Sequence, residues 1–464
     1  MTYNEWLKKI DDELKPDKSF DIIKRELKIG GRDAVLYYID GFIKDEVYEK
    51  ILEFLYKQTP EDIADIPNML EFAKAKMPYV EADELKTVKE AVTAVLSGPS
   101  VLLINGISGA LAVDTRTYPM RSPDEPQKDK SLRGSRDGFV ETLVMNTALI
   151  RRRIRDKRLR MEYMQIGNGT KLDIAISYLE GAADGRVLDI LRKRLKEIDI
   201  NGISMTQQAL SEKLQKNAFF NPFPKFKFTE RPDYASACIF DGRIVLVMDN
   251  SPAVMILPIS LSDFFRETDD YYFLPIVASY TRILRMLVSV ANVIITPLYL
   301  LLAVKAAAVL PSWLTVLMPE KTGEIPLFFQ FLILEFVVDG LRLASVNTPD
   351  ALSNSLGIIG GLLLSEFAVS AGWFIAEAIL LMAFVTIAGF SLPNYEMGYA
   401  MKFERLFLLI LTQIFGEWGF AGGIIALITG MLCVKTLSGR NYLYPLVPFS
   451  KKGFLELFIR YPMK

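Results

Sequence analysis

IPLFFQFLILEFVVDGLRLASV, residues 325–346, reads as a membrane-crossing helix that carries charge where hydrocarbon tolerates little of it. Roughly 20 apolar residues are needed to cross a bilayer core, and this stretch meets that need. Glu335, Asp339 and Arg342 fall at i, i+4 and i+7, which places them on one face of a helix. A charge at mid-bilayer costs about 2.5–3.5 kcal/mol on insertion scales. Such groups persist only when they face one another, another helix or water. Two readings stay open at this point. The charged face is an ion path or gate, or it is an intra-bundle ion pair, Asp339 with Arg342, that fixes helix packing.

Further apolar runs lie at 283–304, 356–369, 374–390 and 406–434, and none of comparable length precedes Tyr280. The fold class expected is therefore α+β: cytosolic α/β subdomains with a helical N-terminal segment, followed by a polytopic α-helical membrane domain. Arg282 and Arg285 flank the first run, and Lys435, Arg440, Lys451 and Lys452 follow the last. Positive charge favours the cytosolic side, so both ends face the cytosol and the crossings are even in number. About six crossings are expected, with four as the smaller count. Gly416, Gly419, Gly422 and Gly423 interrupt the last run, which is one long helix or two short ones. Glu366, Glu377 and Glu417 add acids in apolar settings, and a carboxylate-lined conduit favours cations. Gly357, Gly360 and Gly361 form a small-residue face suited to close helix packing.

The net charge of −1 over 464 residues gives no global attraction to nucleic acid or anionic lipid. The opening MTYNEWLKKIDDELKPDKS lacks the apolar core of a signal peptide, so the first apolar run is expected to act as an internal anchor. Histidine is absent, and the two cysteines, Cys238 and Cys433, stand far apart. Ser-His-Asp and Cys-His catalysis, zinc fingers and disulfide scaffolds therefore have no basis here. No enzyme, metal or cofactor is expected.

The expected divisions are a helical segment over 1–90, a first cytosolic subdomain over 91–160, a second over 161–280, the membrane domain over 281–436 and a cytosolic tail over 437–464. In the first of these, Ile22, Ile23, Leu27, Val47, Ile51, Leu52 and Leu55 fall near helical spacing. Strands are expected at 100–104 and 110–113, joined through Asn105-Gly106, and at 172–178 and 243–248. Helices are expected at 85–96, 139–153 and 185–197. The aromatic and acidic stretch 261–274 suits the membrane surface.

Two clusters dominate the soluble part. RGSRDGFVETLVMNTALIRRRIRDKRLR begins with a Gly-broken basic turn containing Arg133, Gly134, Arg136 and Gly138, followed by Phe139 and Glu141. Seven basic residues, Arg151, Arg152 and Arg153 among them, then crowd into 151–160 against one acid, Asp156. A nucleic-acid patch would want interleaved aromatics and a basic domain, and a phosphate loop would want GxxxxGK[ST]. With neither context present, the favoured reading is an assembly surface, between subunits or against the inner leaflet, where guanidinium groups meet carboxylates or lipid phosphates. NPFPKFKFTERPDYASACIFDGRIVLVMDNSPAV holds Asn221, Pro222, Glu230, Arg231, Pro232, Asp233 and Asp249. It reads as a stiff approach, an ion-paired turn and a capped strand end.

These clusters, with VLVMDNSPAV and the C-terminal LSGRNYLYPLVPF, resemble the A-subunit family of bacterial spore germination receptors over about residues 101–449. The chain departs from that pattern at Gly439, Arg440 and Asn441, where the family commonly carries a Ser-Phe-Gly-x-Pro-Tyr turn. The resemblance implies a multi-pass protein of the spore inner membrane with a cytosolic N-terminal region in two subdomains. It also implies a homo-oligomeric, ion-conducting assembly with other germination membrane subunits and membrane lipid as partners, and no nucleic acid. One branch of the family amplifies ion release once germination has begun. The alternatives are a nutrient-receptor A subunit acting with B and C subunits, or a secondary transporter, which would show an internal repeat in the membrane half.

Overall fold

The computed structural model describes residues 1–43, 45–77, 81–115, 132–167, 171–198, 206–215, 221–305, 323–347, 366, 368–392 and 394–461. The chain forms two compact units, Met1–Lys216 with Lys225–Ile259, and Asn217–Pro224 with Ser260–Lys464.

In the first unit the chain runs α1 (Tyr3–Leu14), β1 (Ile22–Ile29), β2 (Arg32–Ile39), α2 (Asp45–Tyr56), α3 (Pro60–Ile63), α4 (Met69–Lys76), β3 (Ala82–Leu85), α5 (Val88–Ser97), β4 (Ser100–Ile104) and β5 (Ala110–Val113). The strands make one antiparallel sheet in the order β1-β2-β4-β5-β3. Period-two alternation sends Leu36, Leu102 and Ile104 to one face, against Leu52, Leu55 and Phe72 of α2 and α4. Val35, Tyr37, Val101 and Leu103 go to the other face, against Ile10, Leu14, Val92 and Val95 of α1 and α5. The result is a sheet between two helical layers.

The expected helical segment over 1–90 is thus corrected. Ile22, Ile23 and Leu27 lie on a strand, and the boundary at residue 90 cuts through the elements of a single sheet. The overlooked signal is Gly30-Gly31, both at positive φ (52° and 74°), which closes the two-residue β1–β2 hairpin. A side chain at Gly30 would fall 2.8 Å from the Thr59 carbonyl oxygen, so glycine is needed there for space as well.

The second half of this unit runs α6 (Leu143–Arg153), β6 (Leu159–Ile166), β7 (Leu172–Leu179), α7 (Gly185–Lys196), α8 (Thr206–Leu214), β8 (Lys227–Thr229), α9 (Pro232–Phe240), β9 (Ile244–Met248) and β10 (Val254–Leu257). Its sheet, ordered β6-β7-β9-β10-β8, is again wholly antiparallel. The subdomains are therefore α+β, not α/β, because no parallel crossover is made. The strands expected near 172–178 and 243–248 and the helix near 185–197 are present. The helix expected from 139 begins at Leu143.

Arg151 ties the two sheets together. It is fully buried, and its guanidinium grips Asp21, the residue before β1, through Nε (2.8 Å) and Nη2 (3.2 Å). Nearby, the Arg160 guanidinium donates to the Leu14 carbonyl (3.2 Å) and to Glu180 (3.0 Å), while Phe20 N donates to the Met161 carbonyl (2.9 Å).

The second unit holds α10 (Asp269–Tyr272), α11 (Pro275–Lys305), α12 (Leu327–Asn347), α13 (Ala376–Phe390), α14 (Tyr395–Cys433) and α15 (Lys451–Phe458). Tyr299, Leu300, Phe331, Met382, Val385 and Leu409 form a shared core of α11 to α14. Among the described residues, two helices are long and apolar enough to cross a membrane, Pro275–Ala303 and Tyr395–Cys433, and Ala376–Phe390 is a shorter apolar helix. The run expected at 356–369, with Gly357, Gly360 and Gly361, lies largely outside the described residues. Helix α14 breaks at Gly416 (φ 58°, ψ −129°), so it is two helices. A methyl on Gly419 would fall 1.9 Å from the Leu411 carbonyl oxygen, and one on Gly423 would fall 2.6 Å from Leu408. In a straight helix residues eight apart are separated by about 12 Å. The second half therefore doubles back on the first.

Breaking a buried ion pair by removing one partner typically costs about 3–5 kcal/mol, because the other charge stays buried. Arg151→Ala is expected to lower unfolding stability by that order in urea titration. The double variant Arg151→Met with Asp21→Leu recovers most of it, since no charge is stranded. Equal losses for the single and double variants would rule out charge pairing as the clamp.

Candidate functional site

The RGSRDGF and TERPD turns of the first unit meet beside the second sheet. Phe139 N donates to the Glu230 carbonyl (2.8 Å), which joins the RGSRDGF turn to the TERPD turn. The Arg231 guanidinium, fully buried, donates to the Ser135 carbonyl (2.8 Å) and to Asp233 (2.7 Å). Arg153 holds the same loop through Asp137 (2.5 Å) and Ser135 Oγ (3.0 Å). Pro232 supplies the preset φ of the first turn of α9. Asp249 accepts from Leu143 N (3.0 Å) and caps α6, where a negative charge meets the positive end of the helix. Asn250 N donates to the Glu141 carbonyl (2.7 Å).

This arrangement changes the meaning of the basic cluster. Arg151, Arg153 and Arg160 bind inside their own subunit, so their guanidinium groups do not offer the lipid or intersubunit surface expected of the whole cluster. Arg133, Arg136 and Arg152 stay exposed, as does Glu141, while Gly134 takes a positive φ of 122° and Gly138 is buried. Asn221 and Pro222 belong to the second unit. There Asn221 Oδ1 accepts from Phe223 N (3.0 Å), and Tyr442 donates its hydroxyl hydrogen to the Pro224 carbonyl (2.9 Å). Burial, with Asp263, Glu404 and Glu396 nearby, pushes the Tyr442 hydroxyl well above its ordinary range and keeps it a donor.

The charged helix face lies in the bundle of the second unit. Glu335 is buried and accepts from Arg405 Nε (2.7 Å) and Nη2 (2.5 Å), and its other oxygen lies 3.2 Å from Lys402 Nζ. Lys402 also pairs with Asp339, and Arg405 donates to the carbonyl (3.2 Å) and side-chain oxygen of Asn292 on α11. The expected Asp339–Arg342 pair is corrected: the Asp339 carboxylate goes to Lys402. Arg342 instead stacks over Phe390 (4.6 Å), Tyr395 (5.4 Å) and Tyr399 (5.5 Å), a cation–π cluster. Of the other acids, Glu366 and Glu417 are exposed and Glu377 is half-buried.

Lys402, Arg405 and Asn292 went unremarked in the sequence. The signal was available. KFER at 402–405 puts two cations at i and i+3, the counterpart of Glu335 and Asp339 at i and i+4, directly before an apolar run. Among the described residues no group of acids, histidines or cysteines is arranged to hold a metal ion.

The Bacillus/Clostridium GerA spore germination protein family matches residues 8–464. The chain belongs to this family. It is 33% identical to stage V sporulation protein AF of Bacillus subtilis (strain 168), over 95% of this chain and 89% of that one. It is 29% identical to spore germination protein KA of the same strain, over 96% and 82%. Among solved structures, it resembles the N-terminal domain of the A subunit of the Bacillus megaterium spore germinant receptor GerK3, at 29% identity and a TM-score of 0.43, covering 54% of this chain and 92% of that one.

Burial alone would raise the Asp137 carboxyl, but hydrogen bonds from Arg153 and Ser135 outweigh it and hold the group below the usual carboxylate range. A folded value below the unfolded one, about 3.9 for Asp, gives stability that is present above the unfolded value and lost as pH falls through the folded value. Arg153→Met removes the larger lowering contact and leaves the burial and the Ser135 bond. Acid unfolding followed by circular dichroism is expected to begin at higher pH in this variant, and an unmoved acid limb would refute the assignment.

Proposed function

We propose that this protein is a membrane subunit of a spore germination complex and works within an oligomeric ion channel of the spore inner membrane. The bundle of α11 to α14 is polytopic in this reading, and the first unit stands on the cytosolic side as its gate or relay. The carrying observation is the network Asn292–Arg405–Glu335–Lys402–Asp339, buried at Asn292, Arg405 and Glu335 and partly exposed at Lys402 and Asp339, inside a bundle whose outer side chains, Leu287, Phe336, Ile387 and Trp418 among them, are exposed and apolar. Such an exterior suits lipid and neighbouring subunits, and the interior keeps a polar, carboxylate-containing core that favours cations. The exposed side of the basic cluster, Arg136 among it, faces other germination subunits or lipid headgroups in this reading.

A second reading is favoured by the closure of the ion pairs. Glu335 and Asp339 both have basic partners, so the network serves as a packing element, and the chain acts as a nutrient-receptor A subunit with B and C subunits.

Reconstitution of the full chain into potassium-loaded liposomes separates the two. Under the channel reading the protein releases potassium passively. Glu335→Gln with Asp339→Asn, combined with Lys402→Met and Arg405→Met so that no cation is stranded, lowers release about tenfold or more at unchanged oligomer size. Full release from the neutralised protein would make the network a packing element. No release from the wild type would remove the channel.

A further inference from the structure

Along α11, Arg282, Arg285, Ser289, Asn292, Thr296 and Tyr299 recur at alternating intervals of three and four residues, so they share one helix face. All six are buried, none being more than 8% exposed. The face opposes α14 at least at Asn292, which receives Arg405. A polar stripe this long inside an apolar bundle is costly unless each group finds a partner. Some do. Arg282 and Arg285 reach Asp270 (2.8 and 2.5 Å), and Ser289 donates to the Arg285 carbonyl (2.7 Å). Two groups do not. The Tyr299 hydroxyl, on the stripe itself, and Glu404 Oε1, beside Arg405 in sequence, are buried and have no hydrogen-bond partner among the described residues. Tyr299 and Glu404 are more than nine-tenths buried, at 7% and 5% exposure. Buried polar groups left in this state are ordinarily satisfied by internal water.

We propose that this stripe is a hydrated track inside a single subunit, suited to water, protons and small monovalent cations, with Arg405 as its plug. The nature of the cargo rests on the channel reading above, whereas the hydration does not. Glu335 and Asp339 bring carboxyl groups to this part of the bundle, each answered by Lys402 or Arg405. Arg405, bonded at once to Asn292 on α11 and Glu335 on α12, lies across the stripe at one level. Release of the Arg405–Glu335 pair would clear that level and expose carboxylate to the track.

Thiol labelling tests this in the full-length membrane complex. The exposed Cys433 is first changed to Ser, and Cys238, already buried, is retained. Ser289→Cys and Thr296→Cys, both close in size to the native residues, are treated with methanethiosulfonate ethylammonium and scored by mass. Leu300→Cys, 3% exposed and off the stripe, serves as the dry control. Thiols react as thiolates, which a dry apolar site suppresses. The track predicts labelling of both stripe positions about tenfold or more faster than the control in protein of wild-type size, rising further at Thr296→Cys when Arg405→Gln is added. Labelling no faster than Leu300→Cys overturns the track, and potassium release in that same sample puts the ion route elsewhere while sparing the channel reading. Fast labelling without release upholds the hydrated stripe and sinks the channel reading instead. No change on adding Arg405→Gln overturns the plug.

Discussion

Charges taken out of water must be answered by other charges, and the bundle of the second unit is organised around that constraint. Each ion removed from water carries a penalty of several kcal/mol after relaxation, recovered only with good geometry and filled hydrogen-bond sites. Arg405 meets the condition by spending its planar fork on two acceptors, Glu335 and Asn292. Lys402 meets it as a point charge shared between Glu335 and Asp339. Because these partners come from α11, α12 and α14, the pairing sets the register of three helices at once. A slide of one helical turn would strand a charge in an apolar setting.

Similar logic runs through the first unit, where Arg151 and Arg231 are fully buried. Each reaches a carboxylate and a main-chain carbonyl: Asp21 with Leu159, and Asp233 with Ser135. Arginine stays protonated at any physiological pH, and the chain contains no histidine. Ties built from arginine and carboxylate therefore hold through the neutral range in the first unit. A response to ligand or neighbour has to enter through the surface or through the few polar groups without partners.

The sequence disclosed this design unevenly. Membrane-like runs stood out because hydrophobicity is a local property, and so did the charge inside 325–346. Strand 172–178 and the Asn105-Gly106 turn were legible for the same reason, since period and turn chemistry are written in adjacent residues. Partners were not legible. Asp339 stood near Arg342 in sequence, yet it binds a lysine 63 residues away. Arg151 belonged to a conspicuous basic run, yet its partner Asp21 lies 130 residues upstream. The β1–β2 hairpin of the first sheet was misread as helix because Ile22, Ile23 and Leu27 suit either period over so short a window, whereas strands 100–104 and 110–113 of the same sheet were legible. Gly30-Gly31 was the better guide.

The break at Gly416 assigns different tasks to the two halves of α14. In the first half the buried positions, Met397, Ala400, Met401, Glu404, Arg405, Leu408, Leu409 and Thr412, follow the three-and-four spacing of a helix packed on its own subunit. In the second half only Gly419 and Gly423 are buried, and they face the first half, where Leu411 and Leu408 leave room for no side chain. Trp418 and Ile425 are 84% and 65% exposed. Apart from these glycines, its residues are partly or fully exposed. The first half thus fixes the ionic core, and the reversal leaves the second with its large apolar side chains uncovered by its own chain.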